Sequence, residues 1–197
     1  MDDRHQHAVL RPDVAVAELR ETIDRTCATA AFQGTTPKWS LPPVRRRWLR
    51  TSREGPDELR RRRAVALLLL GLPGSASYDS EAEHALHLGS EDPDGAAWST
   101  RVSEAFDEIR RRGDGRRGSA EPAWERPRRG ESGVLRHWTD PATTGGMHLV
   151  IANLGDVPAA VPDGSIAFAS ADPLGPLRST SDNHDLPPMT TIWLAPK

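Results

Sequence analysis

Cysteine is almost absent from this sequence of 197 residues: Cys27 stands alone, which excludes an internal disulfide and suits a reducing, cytoplasmic setting. Lysine is nearly missing too. Only Lys38 and Lys197 are lysine, and the rest of the 26 basic residues are arginine. Aromatic residues make up 5%, with a single tyrosine, so few rings are on offer for stacking on bases or sugars. The longest apolar run, residues 64–72 counting Gly71, is nine residues, whereas a membrane-spanning helix needs about 20. The opening MDDRHQH carries acid where a signal peptide carries a basic and then an apolar region. The chain therefore reads as a cytoplasmic protein with no membrane partner.

What is present is turn material and arginine. Seventeen prolines and sixteen glycines imply many turns and irregular connections, and 37% hydrophobic content allows a core without making it generous. The length has room for one large domain or two small ones. Arg45, Arg46, Arg47, Arg50, Arg53 and Arg60 to Arg63 form one basic segment, and residues 110–129 hold another. Such segments grip phosphates in nucleic-acid-binding proteins. Against that stand the net charge of −2, the interspersed Glu54, Asp57, Glu58 and Glu125, and aromatic interleaving of the basic segments limited to Trp48 and Trp124. Nucleic acid is accordingly the weakest of the partner readings.

Periodicity organises the rest. Val16, Leu19, Ile23, Cys27 and Ala30 recur at spacings of three and four, which predicts a helix over 14–31 with Asp13 as its cap and Cys27 as a small buried residue. Residues 7–10 and 39–41 read as short strands on either side, the second halted by Pro42-Pro43. A helix over 57–70 follows, and its second half, AVALLLL, is apolar on all sides, implying burial against neighbours on more than one face. A third helix is predicted over 102–112, with Val102, Ala105, Phe106 and Ile109 on one side. Residues 113–132, rich in Arg, Gly and Pro, read as a linker. Strands are then predicted over 133–138, 147–153, 165–170 and 189–194, with turn signals between them, as in a small antiparallel sandwich.

TPKW at 36–39, RRRRAVALLLLGLPGSA at 60–76, MHLVIANLGDVP at 147–158 and LPPMTTIWL at 186–194 follow one another along the chain. The series resembles the last third of a bacterial α-glucosidase of the α-amylase superfamily of glycoside hydrolases. No single motif is diagnostic; the colinear order carries the resemblance, which covers nearly everything except the linker. It implies an α+β fold: a helical remnant of a (β/α)8 barrel over 1–112, the linker over 113–132, and an all-β C-terminal domain over 133–197. In those terms 17–31 is the helix after barrel strand six, 36–41 the approach to strand seven, and 59–72 the helix after it. Residues 73–86 stand for strand eight and its loop, and 102–112 for the helix that joins barrel to sandwich.

The chemistry of that family is missing. Retaining glycosidases use two carboxyl groups about 5 Å apart, and the resemblance places both on strands that would precede Met1. A third family carboxylate belongs to an Asn-His-Asp motif after strand seven, but Trp39-Ser40-Leu41 runs straight into Pro42-Pro43. After Ala76, the family's tyrosine-rich Gly-Glu-Glu pattern is reduced to SYDSEAEHAL, with Tyr78 and Glu83 as echoes. Asn183-His184-Asp185 spells the triplet in the wrong place and reads as turn chemistry. His5 with His7, and His84 with His87, have ligand-like spacing but no further ligand nearby. Of the tryptophans, Trp138 and Trp193 are expected in the core, and Trp39 would stack on sugar only in a complete barrel.

No catalytic, cofactor-binding or metal-binding residue is therefore assigned, and carbohydrate-binding residues stay open. The sequence reads as a non-catalytic relic, or as a structural or interaction module related to carbohydrate metabolism. Two alternatives remain: one part of a split α-glucosidase needing an N-terminal partner, and an α-glucan-binding module. A barrel of this type needs about 250 residues to close, so a protein partner covering the apolar barrel-derived helices is one expectation. An α-glucan is another.

Overall fold

In the computed structural model the described residues are 6–42, 56–77, 122–124, 133–139, 148–170 and 185–195. They form a mixed helix-and-strand structure dominated by sheet. The first part alternates: β1 (Gln6–Val9), α1 (Val16–Gln33), β2 (Pro37–Ser40), α2 (Pro56–Gly71) and β3 (Ser75–Ser77). The three strands pair in parallel in the order β1-β2-β3, so each lies beside its neighbour in the chain. The predicted helix over 102–112 lies outside the described residues.

Helix α1 forms where the period places it and buries Leu19, Ile23, Thr26, Cys27 and Ala30. Its start differs from expectation. Ala15, extended at φ −61° and ψ 153°, is the cap and supplies no side-chain bond. Asp13 instead takes a hydrogen bond from Arg11 at 2.8 Å, which holds its carboxyl below the ordinary carboxylate range. Proximity to a guanidinium outcompeted the orphan amides of the helix. The end is Gly34 at φ 62°, a left-handed position that suits glycine, with Thr35 N–H reaching back to the Ala30 carbonyl at 2.9 Å.

The second part is antiparallel. Strands β4 (Ala123–Trp124), β5 (Val134–Trp138), β6 (Leu149–Asn153), β7 (Ala159–Ala160), β8 (Ser165–Ala169), β9 (Asp185–Leu186) and β10 (Thr190–Ala195) follow in sequence. Five of them make a sheet in the order β4-β5-β6-β10-β8, and β7 pairs with β9 in a separate two-stranded ribbon. The four long strands fall where the runs between turn signals predict them. Strands β4, β7 and β9 were not anticipated: two-residue strands carry no readable period, and β4 lies in the stretch read as linker.

Helix α2 sits between the two sheets, which explains its all-round apolarity. Ala64 through Leu70 are each at most 6% exposed. A single core joins them to Ala8, Leu10 and Trp39 of the parallel side and to Leu135, Val150, Ala152 and Trp193 of the antiparallel side. Two buried side chains tie the five-stranded sheet to helix carbonyls: Thr191 Oγ1 donates to Ala64 O at 2.8 Å and Trp193 Nε1 to Leu67 O at 3.2 Å. At Gly71 the helix approaches so closely that a Cβ would lie 2.5 Å from a Val150 methyl.

The other face of the five-stranded sheet has its own core, where Val134, Leu149, Ile151, Ile192 and Leu194 meet Ala159 and Leu186 of the ribbon. Asn153 pins that ribbon in place. Fully buried, its amide nitrogen faces the carbonyls of Val157 at 2.8 Å, Leu186 at 2.9 Å and Pro187 at 3.2 Å, while its oxygen accepts from Gly155 N–H. One polar side chain thus satisfies turn groups on two separate segments.

Candidate binding face

Residues singled out in the sequence scatter. Cys27 is buried on α1, as its period predicted. Trp193 is fully buried, but Trp138 is 43% exposed, contrary to its expected place in the core, because it ends β5 at the margin of the sheet. Trp39 is also fully buried, and its Nε1 donates to Pro73 O at 2.6 Å, so its ring offers no face to a sugar. His5, His84, His87, Asn183, His184, Trp48, Tyr78 and Glu83 lie outside the described residues. Asp185 opens β9 opposite Ala160 and belongs to a strand, not to the turn predicted for it. No group of three or more metal-ligating side chains occurs among the described residues, nor is any helix among them long and apolar enough to cross a membrane.

The open face of the parallel sheet does bring chemistry together. Parallel pairing puts residues of equal register side by side. His7 lies beside Lys38, and Lys38 beside Ser75; two residues onward, Val9 lies beside Ser40, and Ser40 beside Ser77. These two rows point away from the helices. Their alternates Ala8 and Trp39 are buried, and Ala76 packs against the shared core, whereas His7 and Val9 are exposed and Lys38, Ser40, Ser75 and Ser77 half-buried. No described element covers this face.

Its electrostatics are one-sided. Neither row contains a carboxylate, and among the described residues the Lys38 ammonium has no ion-pair partner. Ser40 Oγ lies 3.1 Å from His7 Nε2. A serine–histidine contact without a carboxylate to orient the imidazole lacks the third member of a hydrolytic triad. The face is thus a hydrogen-bonding surface with the Lys38 ammonium at its centre. Lys38 was visible in the sequence only as a rare lysine; its neighbours come from the strand register.

A second feature escaped the sequence entirely. His137 on β5 is 4% exposed, and its Nδ1 has no hydrogen-bond partner. Burial lowers its pKa to about 4, since the cation would lose its water. It shares the strand face of Leu135 and stands opposite Val150, both members of the core around α2.

Elsewhere a small clamp joins the two parts of the chain. Trp124 on β4 donates from Nε1 to Asp24 Oδ1 of α1 at 2.7 Å, and Arg20 sits 5.3 Å above the same indole ring. Compared with protein-family models, curated proteins and solved structures, the chain matches none.

Proposed function

We infer that this chain is a non-catalytic module of α-glucosidase type, built from the end of a (β/α)8 barrel and an all-β C-terminal domain, and acting as a structural or interaction protein. The observation that carries the reading is the first sheet. Three consecutive strands pair in parallel in chain order, and both intervening helices lie on one face. Successive units of a barrel have that arrangement, which one βαβαβ half of a doubly wound sheet shares. An antiparallel sheet follows it, as the resemblance implies.

The non-catalytic part of this reading rests on the third family carboxylate: β2 ends at Ser40 and the chain runs through Leu41 into Pro42 where the resemblance would place that carboxylate. The cytoplasmic setting is part of this proposal and rests on the single buried cysteine. The test is hydrolysis of maltose and a chromogenic α-glucoside by the purified chain. Turnover that co-purifies with the protein would sink the reading.

A second reading is favoured by one observation: among the described residues the parallel sheet has unpaired outer edges at β1 and β3. Such edges accept further strands, as they would if another polypeptide completed the barrel of a split glycoside hydrolase. Co-expression with an N-terminal barrel half tests it; absence of a stable complex removes it. An α-glucan-binding role predicts heat on calorimetric titration with maltotriose, and a flat titration at millimolar sugar dismisses it.

A further inference from the structure

We propose that the open face of the parallel sheet is a binding site for a small molecule carrying a phosphoryl group, with Lys38 as its central charge. Lys38 is a half-buried residue of the middle strand, and its ammonium has no counter-charge among the described residues, so an anion would meet it without displacing a carboxylate of those residues. Around it the register places His7 and Ser75 in the same row and Ser40 and Ser77 in the next. Hydroxyl, imidazole and ammonium groups share one surface, and none of the six residues in the two rows carries a carboxylate to repel an anion.

Size and composition narrow the occupant. Neighbouring strands lie about 4.8 Å apart, so the row from His7 to Ser75 spans roughly 10 Å. That width fits one tetrahedral oxyanion with a modest substituent and falls short of a nucleic-acid backbone track. A protein partner would want an apolar centre, and of the six residues in the two rows Val9 alone is apolar. Lysine suits the task as a compact point charge with three rotatable donors. Ser40, Ser77 and Val9 occupy the row nearer the C-terminal ends of the strands, where parallel sheets carry their ligands, and the ester substituent would lie across them.

The scarcity of lysine supplies the experiment. Reductive methylation with carbon-13 formaldehyde keeps the charge and labels the two lysines and the N-terminus of the full chain. Inorganic phosphate is titrated in at constant ionic strength, with glycerol phosphate as a second arm. The expected result is a saturable shift of the Lys38 signal at millimolar ligand, with Lys197 moving only as it does in sodium chloride. Tighter binding of the ester places its organic part on the site; equal binding shows that the phosphoryl group alone is recognised. Ser75→Ala should weaken binding roughly tenfold or more, the loss of one hydrogen bond to a charged group. On the unmodified chain, phosphate should raise the unfolding temperature, and Lys38→Met should abolish that rise. Equal responses of Lys38 and Lys197, or a Lys38 shift that never saturates, together with an unfolding temperature of the unmodified chain that phosphate leaves unchanged, overturn the proposal without reference to any variant.

Discussion

Acid should destabilise this fold through His137, by an amount its burial sets. In the unfolded chain the imidazole titrates near 6.5; in the folded protein its pKa is about 4. The neutral form is the one folding favours. Between those two values the unfolded state binds more protons, so stability is complete above pH 6.5 and falls as the pH drops through the window. Below about pH 4 the folded state protonates as well and the loss levels off. Integrating over the window gives a loss of about 2 kcal/mol by pH 5 and about 3 kcal/mol by pH 4. The assay is urea denaturation followed by circular dichroism at pH 7, 6, 5 and 4, on wild type and on His137→Leu. Leucine is similar in volume, apolar and non-titrating, and it removes the unpartnered Nδ1, so it should cost little at pH 7. Carboxylates titrate equally in both proteins, which leaves the difference between the two curves to His137. If the curves stay parallel within about 0.5 kcal/mol, the imidazole is not held neutral and the reasoning fails.

Three further outcomes follow from the packing around α2 and the ribbon. Gly71→Ala drives a methyl against Val150 and should cost about 1–3 kcal/mol; adding Val150→Ala should restore part of it, a coupling read by a double-mutant cycle in urea. Asn153→Leu strands three carbonyls and one amide at the turn and ribbon, so a loss of about 3 kcal/mol or more is expected in the same assay. Trp124→Leu opens the clamp on Asp24 and Arg20; hydrogen exchange should quicken in β4 and on the outer face of α1, while Ala64 to Leu70 of α2 stay protected.

Much of the secondary structure was legible in the sequence because its determinants are local. The spacing of Leu19, Ile23, Cys27 and Ala30 made α1 visible, Gly34 marked its end, and short runs bounded by turn signals, LVIAN and TTIWLA among them, marked β6 and β10. Even the burial of AVALLLL on all sides could be read, since a helix apolar all round must have neighbours all round. Asp13 was misjudged because a cap competes with whatever else is within reach, and Arg11 was nearer. Trp138 was misjudged because a strand's period assigns a face but not how far the covering layer extends along it.

What tertiary structure alone decided concerns partners distant in sequence. Alternation says that His7, Lys38 and Ser75 point to some face of some strand; the parallel register makes them one row. Nothing near His137 in the chain announces that α2 and its core will take its water away, and no property of Asn153 names the carbonyls of Leu186 and Pro187 as its acceptors. Periodicity is a statement about one segment, whereas desolvation and hydrogen-bond pairing are statements about two. The sequence by itself determined which surfaces are apolar, and the tertiary structure decided which surfaces meet.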